Sequence, residues 1–183
     1  DQLKVSTRAK LVLTWTWHPR SLPHAVANST VCMAAQRGMD VVLACPAGWE
    51  LHEDVLAQAR ALAEASGGSF EVSHDPDATK DADIVYAKSW SSLSSWGDTA
   101  GESFKKLELR SWQVTPDSLG SGARFMHCLP VRRNVVVSDA VLDGPASLVL
   151  RQAENRLHAQ TALLEHMLSP TAGCESPLKI HAE

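Results

Sequence analysis

At 183 residues the chain can bury one sizeable α/β core but is too short for two typical domains. Apolar residues make up 44% and charged residues 21%, ordinary for a globular protein, and the net charge of −4 without a basic stripe argues against nucleic acid or an anionic membrane surface as partner. The four cysteines, Cys32, Cys45, Cys128 and Cys174, show neither metal-ligand spacing nor a disulfide framework, so reduced thiols in a cytoplasmic protein are expected.

Residues 1–9 read as a linker remnant, because Asp1-Gln2-Leu3-Lys4 has neither signal-peptide architecture nor an initiator Met. Lys10 to Trp17 reads as a first strand, stopped by His18-Pro19. A helix is expected from Pro23 to Arg37 with Gly38 as its cap, then a second strand from Asp40 to Cys45. Glu53-Asp54 opens a second helix that runs to Ala65 and stops at Ser66-Gly67-Gly68. Ser69 to Ser73 reads as a short third strand, Pro76 to Ala82 as a brief helix or turn, and Asp83 to Ala87 as a fourth strand.

Ser89 to Lys106 is rich in Ser and Gly and reads as a long mobile loop of the kind that closes over a site. Ala123 to Met126 is the fifth expected strand and Ser147 to Leu150 a sixth. The last element is a helix from Gln152 to Leu168 with Ala153, Leu157, Leu164 and Leu168 near one face. Residues 169–183 lose periodicity and read as a disordered tail. Strands alternating with helices point to a single α/β domain, a Rossmann-like doubly wound parallel sheet with helices on both faces. No run approaches the roughly 18 apolar residues of a membrane helix.

His18 follows the first strand, Lys88 the fourth, and Cys128-Leu129 with Arg132 the fifth. In a parallel sheet those ends share the edge where ligands bind. Arg156, early in the last helix, could reach the same edge. Blander readings stand beside these: Cys128 as a small buried hydrophobe, His18 as a strand cap, Lys88 as a solvated charge, Arg132 and Arg133 as a surface pair, Arg156 as a partner for Glu154. The apolar flanks of Lys88, Val85-Tyr86-Ala87 and Trp90, favour a desolvated ammonium facing an anion. GxGxxG, GxxxxGK[ST], HExxH and GxSxG are all absent, which argues against dinucleotide binding, P-loop chemistry, zinc proteolysis and a nucleophile elbow. No metal and no cofactor is called for.

The string Phe125-Met126-His127-Cys128-Leu129-Pro130-Val131-Arg132-Arg133-Asn134-Val135 and the segments Ser138 to Asp143 and Glu154 to His158 resemble the aspartate/ornithine carbamoyltransferase superfamily. With Trp15 to Pro19, Ala27-Asn28-Ser29 and Tyr86 to Trp90, the similarity runs from about Lys10 to Leu168 and is nearest to the members acting on N-acetylornithine. No Ser-Met-Gly loop of the ornithine enzymes is present, which favours an acylated substrate. The resemblance implies carbamoyl transfer from carbamoyl phosphate to the δ-amine of N-acetylornithine in arginine biosynthesis. It places Cys128 and Leu129 at the carbamoyl group and incoming amine, with Cys128 polarising rather than attacking, and Arg156 on carbamoyl phosphate. His18, Lys88, Leu129 and Arg132 fall to the acetylornithine.

The same resemblance assigns residues 10–168 to the amino-acid-binding domain alone. The partner N-terminal domain with its phosphate loop has no counterpart here, so the isolated chain is expected to be inactive, and the full-length enzyme to be a homotrimer. Val136 stands where members of this type can carry a lysine. The N-succinylornithine and ornithine enzymes, and a non-catalytic amino-acid-binding module, remain as alternatives.

Overall fold

A computed structural model describes residues 8–95 and 97–169; the expected tail beyond Ser169 and most of the expected linker lie outside these residues, as does Cys174. Five parallel strands form one sheet in the order β3-β2-β1-β4-β5. They are β1 (Lys10–Trp15), β2 (Asp40–Ala44), β3 (Ser69–Ser73), β4 (Ile84–Lys88) and β5 (Arg124–Met126). Every residue of β4, and all but the first of β1 and β2, is buried. Burial of successive residues means that both faces of the sheet are covered, as in a doubly wound fold.

Helices α1 (Ala25–Gln36) and α2 (Glu53–Ser66) follow β1 and β2 and pack on each other. Gly67 ends α2 at φ 77°, a left-handed cap that glycine adopts without a Cβ clash. The chain winds outward from β1 to β3, then returns past β1 to lay β4 on its other side. That reversal puts the C-terminal ends of β1 and β4 side by side with a crevice between them, the place where open α/β sheets bind ligands.

The expected mobile loop is not a loop. Ser89 to Ser92 is buried, Leu93–Ser95 is a 3₁₀ turn, and Thr99–Lys106 is helix α3. Two of its buried serines bond backbone carbonyls: Ser92 Oγ donates to Gly48 O at 2.6 Å and Ser91 Oγ to Leu22 O at 3.1 Å. Asp98 caps α3 by accepting from the Gly101 N–H at 2.9 Å. Within α3, Lys106 and Glu102 form an ion pair with both side chains under 5% exposed.

The expected sixth strand is also absent. Ser147 makes a single bridge to Phe125, and the chain turns into helix α5 (Val149–Leu168) two residues later. Between β5 and α5 lies a one-turn helix, α4 (Asp139–Leu142). The apolar face of α5 does not join this core: Leu150, Leu157, Leu164, Met167 and Leu168 are all more than half exposed.

Candidate active site

The crevice at the β1/β4 switch is closed on its third side by the turn after β5. Leu129 takes φ 54°, an uncommon conformation for a branched side chain, and the Leu129–Pro130 peptide is cis. The turn is held from inside: the Leu129 N–H donates to His127 Nδ1 at 2.9 Å. An imidazole nitrogen that accepts there carries no proton, so His127 keeps its proton on Nε2. Burial first, then the Lys88 ammonium and any charge on His18, push His127 down to about 4, so the ring is neutral at physiological pH.

The result is a cavity of about 170 Å³ lined by His18, Leu22, Lys88, Ser89, His127, Cys128, Leu129, Pro130, Arg132 and Val136. Five of the six residues singled out from sequence therefore share one cavity. Lys88 is the end of β4, only 8% exposed, and its Nζ donates to Ser89 O at 2.9 Å. Burial lowers its affinity for a proton, and the nearby Cys128 works the other way. His18 takes the Arg20 N–H onto Nδ1 at 3.1 Å, which curls the segment after β1 back on itself. Burial lowers His18 most, the Arg20 carbonyl 3.2 Å from Nδ1 opposes this, and Arg132, Lys106 and Lys88 push it down further. Arg132 makes no ion pair among the described residues.

Among the described residues, no aspartate or glutamate lines this cavity. Two permanent cations with no acid beside them form a receptor for an anion, and the exposed carbonyl edge of a tight turn adds acceptors for N–H groups. Tryptophans stiffen the wall behind it. Trp15 sits edge-on to Trp49 and Trp112 at 5.7 and 6.3 Å and donates from Nε1 to Trp90 O at 2.9 Å.

Two arginines fall elsewhere. Arg133 turns away from the cavity to Asp139 and Asp143, with bonds of 2.6 to 2.8 Å, and braces the loop carrying Asn134 at φ 58°. Arg156 is exposed on α5 and does not line the cavity. Its expected counterion Glu154 pairs with Arg151 instead, at 3.0 Å, which leaves Arg156 without an ion pair among the described residues.

Three residues were missed from sequence. His127 carries the turn; Tyr86 and Gln152 bond each other at 2.9 Å across the ends of β4 and α5. The position of His127 beside Cys128 was a usable signal. Gln152 had none beyond standing one helical turn before Arg156.

The family profile described as aspartate/ornithine carbamoyltransferase, Asp/Orn binding domain, matches residues 20–167. The chain belongs to the aspartate/ornithine carbamoyltransferase family. Among its relatives, the N-acetylornithine carbamoyltransferase of Xylella fastidiosa (strain 9a5c) is 43% identical over 164 residues, covering 87% of this chain and 49% of that protein. The anabolic ornithine carbamoyltransferase of Pyrococcus furiosus is 44% identical over 143 residues, covering 76% of this chain and 44% of that protein. A crystal structure of acetylornithine transcarbamylase complexed with acetylcitrulline superposes with a TM-score of 0.85 at 42% identity, covering 88% of this chain and 50% of that one. The chain spans about half the length of these carbamoyltransferases.

Proposed function

We propose that this chain is the acylornithine-binding half of an N-acetylornithine carbamoyltransferase, which makes N-acetylcitrulline and phosphate from N-acetylornithine and carbamoyl phosphate in arginine biosynthesis. The observation that carries the choice of an acylated substrate is that no carboxylate among the described residues lines the cavity. Free ornithine would bring its α-ammonium against Lys88 and Arg132 with nothing to receive it. Acylation removes that charge and leaves a carboxylate, which those two residues and neutral His18 bind by charge and hydrogen bonding.

On this reading the Cys128 and Leu129 carbonyls accept from the carbamoyl NH₂, orient the carbonyl carbon, and meet the incoming amine at Leu129. The δ-nitrogen attacks that carbon, the bond to the phosphate oxygen breaks, and phosphate leaves with its electron pair and takes up the proton that the amine loses. The corner acts by placement and by stabilising charge on the carbonyl oxygen, and Cys128 polarises without forming a covalent intermediate. Arg156 serves carbamoyl phosphate once α5 meets the phosphate-binding half.

That missing half is also the occupant assigned to the exposed apolar face of α5. The helix is about 30 Å long, its leucines face outward, and its relatives carry about as much chain again. Trimeric assembly and a cytoplasmic setting belong to the same reading. The free thiols of Cys32, Cys45 and Cys128 support the setting, and no described helix is long and apolar enough to cross a membrane. The test is calorimetric titration of N-acetylornithine, N-succinylornithine and ornithine against this chain joined to a carbamoyl-phosphate-binding half, with carbamoyl phosphate present. N-acetylornithine is expected to bind most tightly, and a preference for free ornithine overturns the reading.

A further inference from the structure

The backbone of β1 parts from β4 one residue past the end of its strand. Trp15 still pairs with Lys88, and the Thr16 N–H donates to Lys88 O at 3.2 Å, but the next N–H, that of Trp17, turns to Trp112 O at 2.8 Å. Side chains carry the contact one step further into the crevice, where Thr16 Oγ1 and Ser89 Oγ lie 3.1 Å apart. Both residues are buried, at 1% and 3% exposure, and of the two only Ser89 lines the cavity. The Ser89 carbonyl also holds Lys88, taking one of the three ammonium protons at 2.9 Å and leaving two for a ligand.

A pair of hydroxyls carries two protons and uses only one to bond itself. Distance alone lets either oxygen donate, and burial decides between them. Among the described residues, Ser89 Oγ is the single hydrogen-bonding partner of Thr16 Oγ1. If Ser89 donated, the threonine proton would be stranded in the interior without an acceptor, which costs the desolvation of an unbonded hydroxyl. If Thr16 donates, its proton is satisfied and the surplus proton belongs to the residue on the cavity wall. We propose that Ser89 is an anion-binding residue of this cavity: its hydroxyl donates to one oxygen of a ligand carboxylate whose other oxygen takes the Lys88 ammonium, and Thr16 is the positioning residue that turns that proton outward. Identifying the anion as the α-carboxylate of an acylornithine rests on the function proposed above, whereas the hydroxyl pair beside the ammonium stands on its own geometry.

The experiment separates the two. N-acetylornithine and N-acetylglycine, which keeps an acylated amino acid's carboxylate but lacks the amine arm, are titrated calorimetrically into the full 183-residue chain. Ser89→Ala is expected to weaken both acids about tenfold, the worth of a hydrogen bond to a charged group. Thr16→Val, which keeps the shape of the side chain, is expected to weaken them about threefold, Thr16→Ser to restore wild-type binding, and the Thr16→Val, Ser89→Ala chain to bind no more weakly than Ser89→Ala. A second readout guards against a merely structural effect: the rate at which acetic anhydride acylates Lys88 in the unliganded chain, followed by peptide mass mapping. That rate is expected to be the same in wild type and Ser89→Ala, because the carbonyl that holds the ammonium is main chain and survives the substitution.

The proposal is overturned if Ser89→Ala binds both acids as tightly as wild type, if the Thr16 and Ser89 losses multiply, if Lys88 acylation changes in step with binding, or if the wild-type chain binds neither acid. If N-acetylglycine responds to the variants as expected while N-acetylornithine binds no more tightly than it, the anion site stands and the acylornithine reading fails. If N-acetylornithine binds far more tightly and is indifferent to Ser89→Ala, the reading stands and the proposal fails.

Discussion

An ammonium buried without a carboxylate weakens the fold that carries it, so Lys88 is a residue whose removal separates stability from binding. Lys88→Met is expected to stabilise the unliganded chain by about 1 kcal/mol, because a desolvated charge is replaced by a hydrocarbon of similar length. The same change is expected to weaken acylornithine binding by roughly tenfold or more, the worth of a charged hydrogen bond. Urea unfolding and calorimetric titration on one preparation check both signs. His127 makes a pH prediction. Its folded pKa is pushed down to about 4 from 6.5, so between those values the unfolded chain binds a proton that the folded chain refuses. Stability therefore falls as pH drops from 6.5 toward 4, by about 3 kcal/mol from this group. His127→Asn, which retains an acceptor, is expected to flatten that slope in urea midpoints between pH 7 and 4.5. The sequence made His18, Lys88, Cys128 and Arg132 legible because each follows a strand, and topology collects strand ends. It hid Gln152 and Tyr86, since an amide and a phenol in periodic positions look like any half-buried helix or strand residue. It could not show the partners of Arg133, because only the fold brings Asp139 and Asp143 within reach.

At the scale of elements, α3 secures the segment that presents His18. Glu102 Oε2 accepts from Ser21 Oγ at 2.8 Å, Lys106 Nζ donates to Arg20 O at 3.3 Å, and Trp17 Nε1 donates to Lys106 O at 2.9 Å. Helix and segment therefore hold each other through the buried Lys106–Glu102 pair. Removing one member strands the other charge, so Lys106→Met is expected to cost about 3–5 kcal/mol. Lys106→Met combined with Glu102→Leu is expected to recover much of that loss, because the stranded carboxylate is gone. Guanidinium unfolding of the two variants checks the order, and a double variant less stable than the single one would show that the pair itself stabilises the fold. Composition misread this region because serine and glycine usually mark solvated turns. Here the hydroxyls satisfy buried carbonyls instead, and the segment packs. β3 was recovered residue for residue, since turn residues bound it on both sides. The sixth strand failed for the opposite reason: Ser147 to Leu150 is a short apolar run whose period cannot distinguish strand from helix start.

For the whole molecule, the cavity and α5 both bear on the proposed carbamoyl-phosphate-binding half. The cavity offers cations and carbonyls, but Arg156, the residue proposed to meet carbamoyl phosphate, lies outside it on an exposed helix. The 3.6-residue period made an apolar face of α5 legible in Leu157, Leu164 and Leu168 but not what that face meets, because periodicity reports a face and not its partner. Exposed leucines along about 30 Å of helix also give the isolated chain a reason to self-associate. Leu157→Lys with Leu164→Glu is expected to leave the unfolding midpoint of the chain within about 0.5 kcal/mol of wild type, as for surface positions, and to raise its monomer fraction in sedimentation. In the enzyme joined to its carbamoyl-phosphate half, the same pair is expected to abolish N-acetylcitrulline formation, since two charges cannot be buried in an apolar interface without partners. Val136, at 2% exposure in the cavity wall, supplies the control. Val136→Ala enlarges the cavity and destabilises the chain by about 2 kcal/mol, yet leaves self-association unchanged. Full carbamoyl transfer by the Leu157→Lys, Leu164→Glu enzyme would show that α5 faces solvent in the working protein and that Arg156 has no part in holding carbamoyl phosphate.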